Sequence, residues 1–184
     1  EAARARGYLV ETQQEDVVPG IPLPNSWDEY LTSLRKKDRH ELRRKLRRLD
    51  SAGDVRVRLA TASTLASDFE IFHAVMAESK EEKREFLSPD RKAFFASMTR
   101  AMHDAGYLRL FMLELDGEPT AAVIAFDYAG RRLLYNSGYR QDYAPLAVGL
   151  MLKALTIKDS IERGLSYFDL LRGDEPYKYH LGAV

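Results

Sequence analysis

Between Tyr107 and Tyr139 the chain carries three runs of β-rich, mostly apolar residues separated by Asp116-Gly117 and Ala129-Gly130. Short turns ending in Gly suit tight hairpins, because both central residues can take positive φ. The pattern predicts a three-stranded antiparallel meander, Tyr107–Leu115, Thr120–Tyr128 and Arg131–Tyr139. Whatever else the chain forms must cover this sheet.

The remaining elements follow from their periodicity. Residues Glu1–Asn25 read as an arm, with a short strand starting at Tyr8–Val10. Three prolines keep Val17–Pro24 from being helical. Ser26 is a candidate N-cap, with Asp28 and Glu29 in the first turn of a helix running to about Asp50 and a break near Lys37. Val55, Val57 and Leu59 alternate with Arg56 and Arg58, as in a strand buried on one side. Leu65, Phe69, Phe72 and Met76 fall on one helical face. Ser88-Pro89-Asp90 starts another helix, continued by Phe94, Met98 and Met102 and ended by Gly106. After the meander, a helix from near Pro145 buries Leu146, Leu150, Ala154, Ile157 and Ile161, and Tyr167–Leu171 is the last strand. A strand–helix–strand crossover makes the final pair parallel and right-handed. The fold class is α/β, a mixed sheet with helices on both faces.

Composition excludes several function classes. The chain has 184 residues, no Cys and a formal net charge of zero, so it has no disulfide, no thiolate metal site and no global field for nucleic acid. No apolar run nears the roughly 18 residues that span a bilayer. A reducing, cytoplasmic location is expected. The first residue is Glu1 rather than Met, so a piece of a longer protein is expected too.

Two segments carry chemistry. Tyr139–Gly149 joins a strand end to a helix start, where free N–H groups and the helix dipole suit a phosphate. Arg140 adds a cation, and Ala144, Ala147 and Gly149 leave room for a ligand near the backbone; as a plain strand-to-helix connection the segment needs no ligand. No Gly-x-Gly or P-loop pattern is present. In Tyr167–Gly182 an apolar strand ends in a dense ionisable set. Tyr177 is a candidate proton donor, Asp174 or Glu175 a proton acceptor, and Lys178 a stabiliser of negative charge; Asp169 and Arg172 could instead simply pair across a solvated turn.

The stretch Phe168–Gly182, FDLLRGDEPYKYHLG, resembles the C-terminal signature of GNAT-fold acyltransferases of the cellulose-biosynthesis acetyltransferase type, which are related to the Fem-type aminoacyl transferases of peptidoglycan synthesis. Trp27–Leu31, Arg39–Lys45 and Tyr135–Tyr139 share in the resemblance, which spans about Ser26–Gly182. It implies a GNAT-like domain over residues 26–184, entered through a linker over residues 1–25 from an upstream GNAT-like half, and ending before the closing strands of a complete GNAT domain. It further implies acetyl-CoA or another acyl-CoA as donor substrate and no metal. Pantetheine would lie between the third meander strand and the last strand, near Ser137, Gly138 and Tyr139. The pyrophosphate would rest on Arg140, Ala147, Val148 and Gly149. Tyr143 and Pro145 stand where the family's phosphate loop carries glycines. The acceptor would be an amine or hydroxyl of a saccharide-like or small molecule.

Other features are weaker. The basic run Arg35–Arg48 fits a solvated amphipathic helix packed through Leu42, Leu46 and Leu49, or a surface for tRNA or another acidic polymer. His40, His73, His103 and His180 lack metal-ligand spacing. Ser137 lacks the context of a hydrolase nucleophile. Glu78–Glu85 reads as a solvated charged helix end or as a lining of the acceptor side. Three functions are consistent with these features: acyl-CoA-dependent transfer, aminoacyl transfer from tRNA to a cell-wall precursor, and a non-catalytic binding half-domain of a longer protein.

Overall fold

The computed structural model describes residues 2–11, 13, 15–79 and 81–184. Glu1, Thr12 and Gln14 of the expected arm, and Lys80 of the charged run, lie outside the described residues.

In chain order the elements are α1 (Ala2–Ala5), β1 (Gly20–Pro22), α2 (Trp27–Ser33), α3 (Lys36–Asp50), β2 (Val55–Leu59), α4 (Leu65–Ser79), α5 (Glu81–Phe86), α6 (Pro89–Asp104), β3 (Leu108–Leu115), β4 (Glu118–Tyr128), β5 (Arg131–Tyr139), a 3-10 turn (Gln141–Leu146), α7 (Val148–Glu162), β6 (Tyr167–Asp169) and α8 (Pro176–His180). The six strands form one mixed sheet in the order β1-β6-β5-β4-β3-β2. All neighbours are antiparallel except β5 and β6, which are parallel as the crossover requires.

The meander forms as expected. Asp116 and Gly117 have φ of 53° and 83°, and Ala129 and Gly130 have 48° and 74°, so both turns use two left-handed residues. Alternate strand residues feed two cores, one on each face of the sheet. Phe111, Leu113, Ala121 and Val123 pack with Leu31, Leu42, Met151 and Ile157 under α2, α3 and α7. Leu110, Met112, Ala122 and Ile124 pack with Phe69, Phe72, Met76 and Phe95 under α4 and α6.

Several expectations change. Residues 8–10 form no strand, and the expected arm instead supplies β1, which caps the sheet edge beside β6. Pro22 fits there because an edge residue need not donate to a ladder. The helix from Trp27 ends at Ser33 and restarts at Lys36, two residues from the expected break. On α6 the buried side chains are Phe95 and Thr99, while Phe94 is exposed. Pro145 lies inside the 3-10 turn, and α7 begins only at Val148, because Ala147 at φ 55° turns the chain between them. Strand β6 stops at Asp169, whose carboxylate accepts the Leu171 N–H at 2.8 Å, while Leu171 itself is left-handed at φ 54°.

Candidate active site

The functional geometry begins where β5 and β6 part. Their pairing covers Arg131↔Tyr167, Arg132↔Phe168 and Leu133↔Asp169 and then ends. Two residues further along, the β4–β5 register shifts, with Ile124 opposite Asn136 and Ala125 opposite Leu134, so Tyr135 is an extra, bulged residue. A bulge bends its strand. Beyond the last paired residues, β5 runs on while the chain after β6 turns away. The resulting cleft, about 200 Å³, is lined by β5 from Leu134 to Ser137 and faces Lys83, Leu171, Glu175, Tyr177 and Lys178.

At the closed end, Arg132 ties β5 to β4 and α7. Its side chain is wholly buried and donates to Asp127 at 2.7 and 2.9 Å, to Asp159 of α7 at 2.7 Å and to the Thr156 carbonyl at 3.1 Å. At the open end, the Ser137 backbone meets side chains instead of a strand. Its N–H donates to Asn136 Oδ1 at 2.8 Å, and its carbonyl accepts from Lys83 Nζ.

The structure brings Ser137, Glu175, Tyr177 and Lys178 to this cleft. The Tyr177 hydroxyl has no hydrogen-bond partner among the described residues, and burial pushes its pKa up to about 12, with the Glu175 charge adding to the rise. Burial also raises Glu175, but the Lys178 hydrogen bond and the Lys178 and Lys153 charges outweigh it and hold the carboxyl below its usual range. Glu175 is therefore ionised at neutral pH and weakly basic. Lys178 is 1% exposed, and its Nζ donates to the carbonyls of Leu171, Arg172 and Gly173 at 2.9 Å and pairs with Glu175 at 2.9 Å. Its three protons are committed to that loop, so the expected stabiliser of developing charge acts as a brace for the cleft wall. Asp174 points outward and accepts from the Tyr179 hydroxyl.

The expected phosphate cradle is assembled differently. Gly138 permits a close helix crossing: a Cβ there would meet Met76 Cα at 2.5 Å. A Cβ on Gly149 would meet the Tyr139 ring at 2.8 Å, so the space reserved by this glycine is filled by Tyr139. Val148 and Gly149 are both buried. Alternation sends Tyr139 toward α7 and Arg140 to the other face. There Arg140 lies 3.7 Å from Glu78 and 3.6 Å from Glu118, away from the α7 start. Its Nε is buried without a hydrogen-bond partner among the described residues.

Sequence reasoning missed Arg132 and Lys153; Asn136 entered only through the Tyr135–Tyr139 resemblance, and Lys83 only as part of the charged run. Only Lys153 left a signal: it is the one charged residue in the otherwise uncharged stretch from Val148 to Ile157. The charged helix end does reach the site, through Lys83. Among the described residues no cluster of three or more His, Cys, Asp or Glu could hold a metal ion, and no helix is long and apolar enough to cross a membrane.

The model of the acetyltransferase (GNAT) domain family matches residues 36–179, most of the chain. The chain belongs to the GNAT family. Its fold is similar to that of FemX, with a TM-score of 0.70 at 13% identity, covering 91% of this chain and 58% of that one. It is also similar to a GCN5-related N-acetyltransferase from Sphaerobacter thermophilus, with a TM-score of 0.59 at 13% identity, covering 91% and 47%. A conserved protein of unknown function from Bacteroides thetaiotaomicron gives 0.65 at 11% identity, covering 94% and 58%. This GNAT domain thus spans about half to three fifths of the length of these structures. No curated protein matches it in sequence.

Proposed function

We propose that this domain transfers an acyl group, with acetyl the first candidate, from acyl-CoA to an amine or hydroxyl of a saccharide-like or small-molecule acceptor. The cellulose-biosynthesis acetyltransferase type is the subgroup its motifs resemble. A cytoplasmic setting, where acyl-CoA is made, goes with this reading. The observation that carries it is the β5/β6 cleft with a protonated Tyr177 hydroxyl on its wall that has no hydrogen-bond partner among the described residues. The Ser137 N–H and carbonyl, held only by side chains, can exchange these partners for the amides of an extended pantetheine arm.

In the reaction, the acceptor nitrogen attacks the thioester carbonyl carbon. A C–N bond forms and the C–S bond breaks. The amine proton passes to Glu175, directly or through water, and Tyr177 gives its proton to the departing thiolate. Much of the rate comes from holding the two reactants together. Of the two carboxylates considered as base, Glu175 lies in the cleft and Asp174 outside it. Isothermal calorimetry with acetyl-CoA tests donor binding, and release of free thiol tests turnover. Saturable micromolar binding is expected, with Tyr177→Phe keeping that binding and losing about a hundredfold in rate. Absence of binding sinks the reading.

A second reading, aminoacyl transfer from tRNA to a cell-wall precursor, draws on the N-cap and solvent face of α3, which expose Arg35, Lys36, Lys37, Arg43, Arg44, Arg47 and Arg48. It requires tRNA binding that falls steeply with salt and is lost on reversing these charges. Failure of both ligands leaves the third reading, a binding half-domain of a longer protein.

A further inference from the structure

Lys153 lies one turn inside α7 and is 9% exposed. Its Nζ donates to the Gly149 carbonyl at 3.3 Å and pairs with no carboxylate among the described residues. The same Nζ stands 5.1 Å from the centroid of the Tyr177 ring. A desolvated cation over an aromatic face is held by the ring quadrupole, more strongly than in water. Among the described residues the Tyr177 hydroxyl makes no hydrogen bond, and packing against the core and this cation hold the ring.

The contrast with Lys178 bears on function. Lys178 is also buried, yet its protons are fully satisfied by carbonyls and Glu175. A buried amine held only by one carbonyl and an aromatic ring is costly to maintain. Burial lowers the Lys153 pKa to about 8, with the Lys83 charge adding to the fall and Glu175 opposing it. Other groups face the same part of α7. Tyr139 of β5 packs on Gly149, and α2 brings the buried Tyr30. Arg132 of β5 reaches Asp159 further along the helix. Lys37, Asp38, Glu41 and Lys45 of α3, with His180 of α8, surround Leu150.

We propose that Lys153 is a positioning residue of the transfer reaction, its buried amine holding the Tyr177 ring against α7 so that the hydroxyl stays on the β5/β6 cleft. The role rests on the reading of Tyr177 as proton donor. It makes the tyrosine's placement depend on the charge of Lys153: when the amine loses its proton, the ring loses its cation. Proton donation by Tyr177 then weakens as pH rises through the lysine's titration, far below the tyrosine's own.

The test has two arms, both on the intact chain, with melting curves to confirm that each variant folds. In the first, tyrosine ring carbons are labelled with carbon-13 and the Tyr177 resonance is assigned by its loss in Tyr177→Phe. Between about pH 6 and pH 10 it should show a step near the Lys153 titration that Lys153→Met abolishes. A resonance that does not move, or a step that survives the substitution, overturns the proposal. The second arm follows thiol release from acetyl-CoA with a diamine acceptor. Lys153→Met should lower kcat about tenfold with KM within about twofold and flatten the pH profile, and Lys153→Arg should recover part of kcat without the fall above neutral pH. Wild-type kcat in folded Lys153→Met, or a change confined to KM, overturns it. If the wild-type chain releases no thiol, the acyl-CoA reading fails, and the Tyr177 resonance alone decides the role of Lys153.

Discussion

At its Arg132 end, the β5/β6 pair is hydrogen-bonded strand to strand, and a buried guanidinium pins β5 to Asp127 of β4 and to Asp159 and Thr156 of α7. At its Ser137 end, the same two segments are parted by a bulge and a left-handed turn, and the backbone between them is met by side chains. One end is over-determined and the other is left exchangeable. A binding cleft needs both, because a wedge can open at one end only if the other end holds. The two buried lysines repeat this contrast: Lys178 closes a loop with a full set of acceptors, and Lys153 sits beside the cleft with one.

The largest expected effect comes from breaking the closed end. Arg132→Met leaves Asp127 and Asp159 facing an apolar side chain, and removing one partner of a buried ion network costs about 3 to 5 kcal/mol. The lower part of that range is expected in urea denaturation, because Arg109 and Arg163 still pair with those carboxylates. Next is Lys178→Met, which strands three carbonyls on the cleft wall; a loss of about 2 to 3 kcal/mol is expected. Proteolysis or hydrogen exchange should show this loss concentrated in residues 171–175.

Lys153→Met sharpens the comparison by changing stability in the opposite direction. The wild-type amine is depressed from 10.5 to about 8. Between those values the unfolded chain holds a proton that the native chain has lost, so wild-type stability rises with pH there. Below about pH 8 both states are protonated and the penalty is complete. The methionine variant should therefore be more stable by about 1 to 2 kcal/mol at neutral pH, less than the full shift implies because the Gly149 bond is lost too. Its advantage should disappear by about pH 10.5. A variant less stable than wild type at pH 7 would show that Lys153 is a satisfied structural group like Lys178.

The smallest effect belongs to Glu175→Gln. Its partner Lys178 keeps three carbonyls, and the carboxylate side chain is 54% exposed, so a cost below about 1 kcal/mol is expected. Because its folded pKa is lowered, that contribution is present above the unfolded carboxyl pKa and is lost as pH falls through the folded one. Turnover should fall while stability barely moves.

Much of the scaffold was legible in the residue pattern. Alternation and the two Gly turns specified the meander, the Ser88-Pro89 start specified α6, and the crossover rule made β6 parallel to β5. These are local signals or follow from chain handedness. The ionisable set after β6 was legible as chemistry, and Tyr177 and Glu175 do meet at the cleft. What they face was not. The Tyr135 bulge that opens the wedge exists only in the register between β4 and β5. The place of Arg140 in the sequence suggests a phosphate ligand, and strand alternation puts it on the α4 face, between Glu78 and Glu118. Gly149 suggests room for a ligand, and that room is taken by the Tyr139 ring. Lys178 lies in a dense ionisable segment and Lys153 alone in an uncharged one, and only the tertiary structure shows one saturated with carbonyls and the other beside an aromatic ring. Sequence determines which groups the chain carries and the period at which they recur. Their hydrogen-bond partners and dielectric surroundings come from segments far apart in the chain, and those set what each group can do.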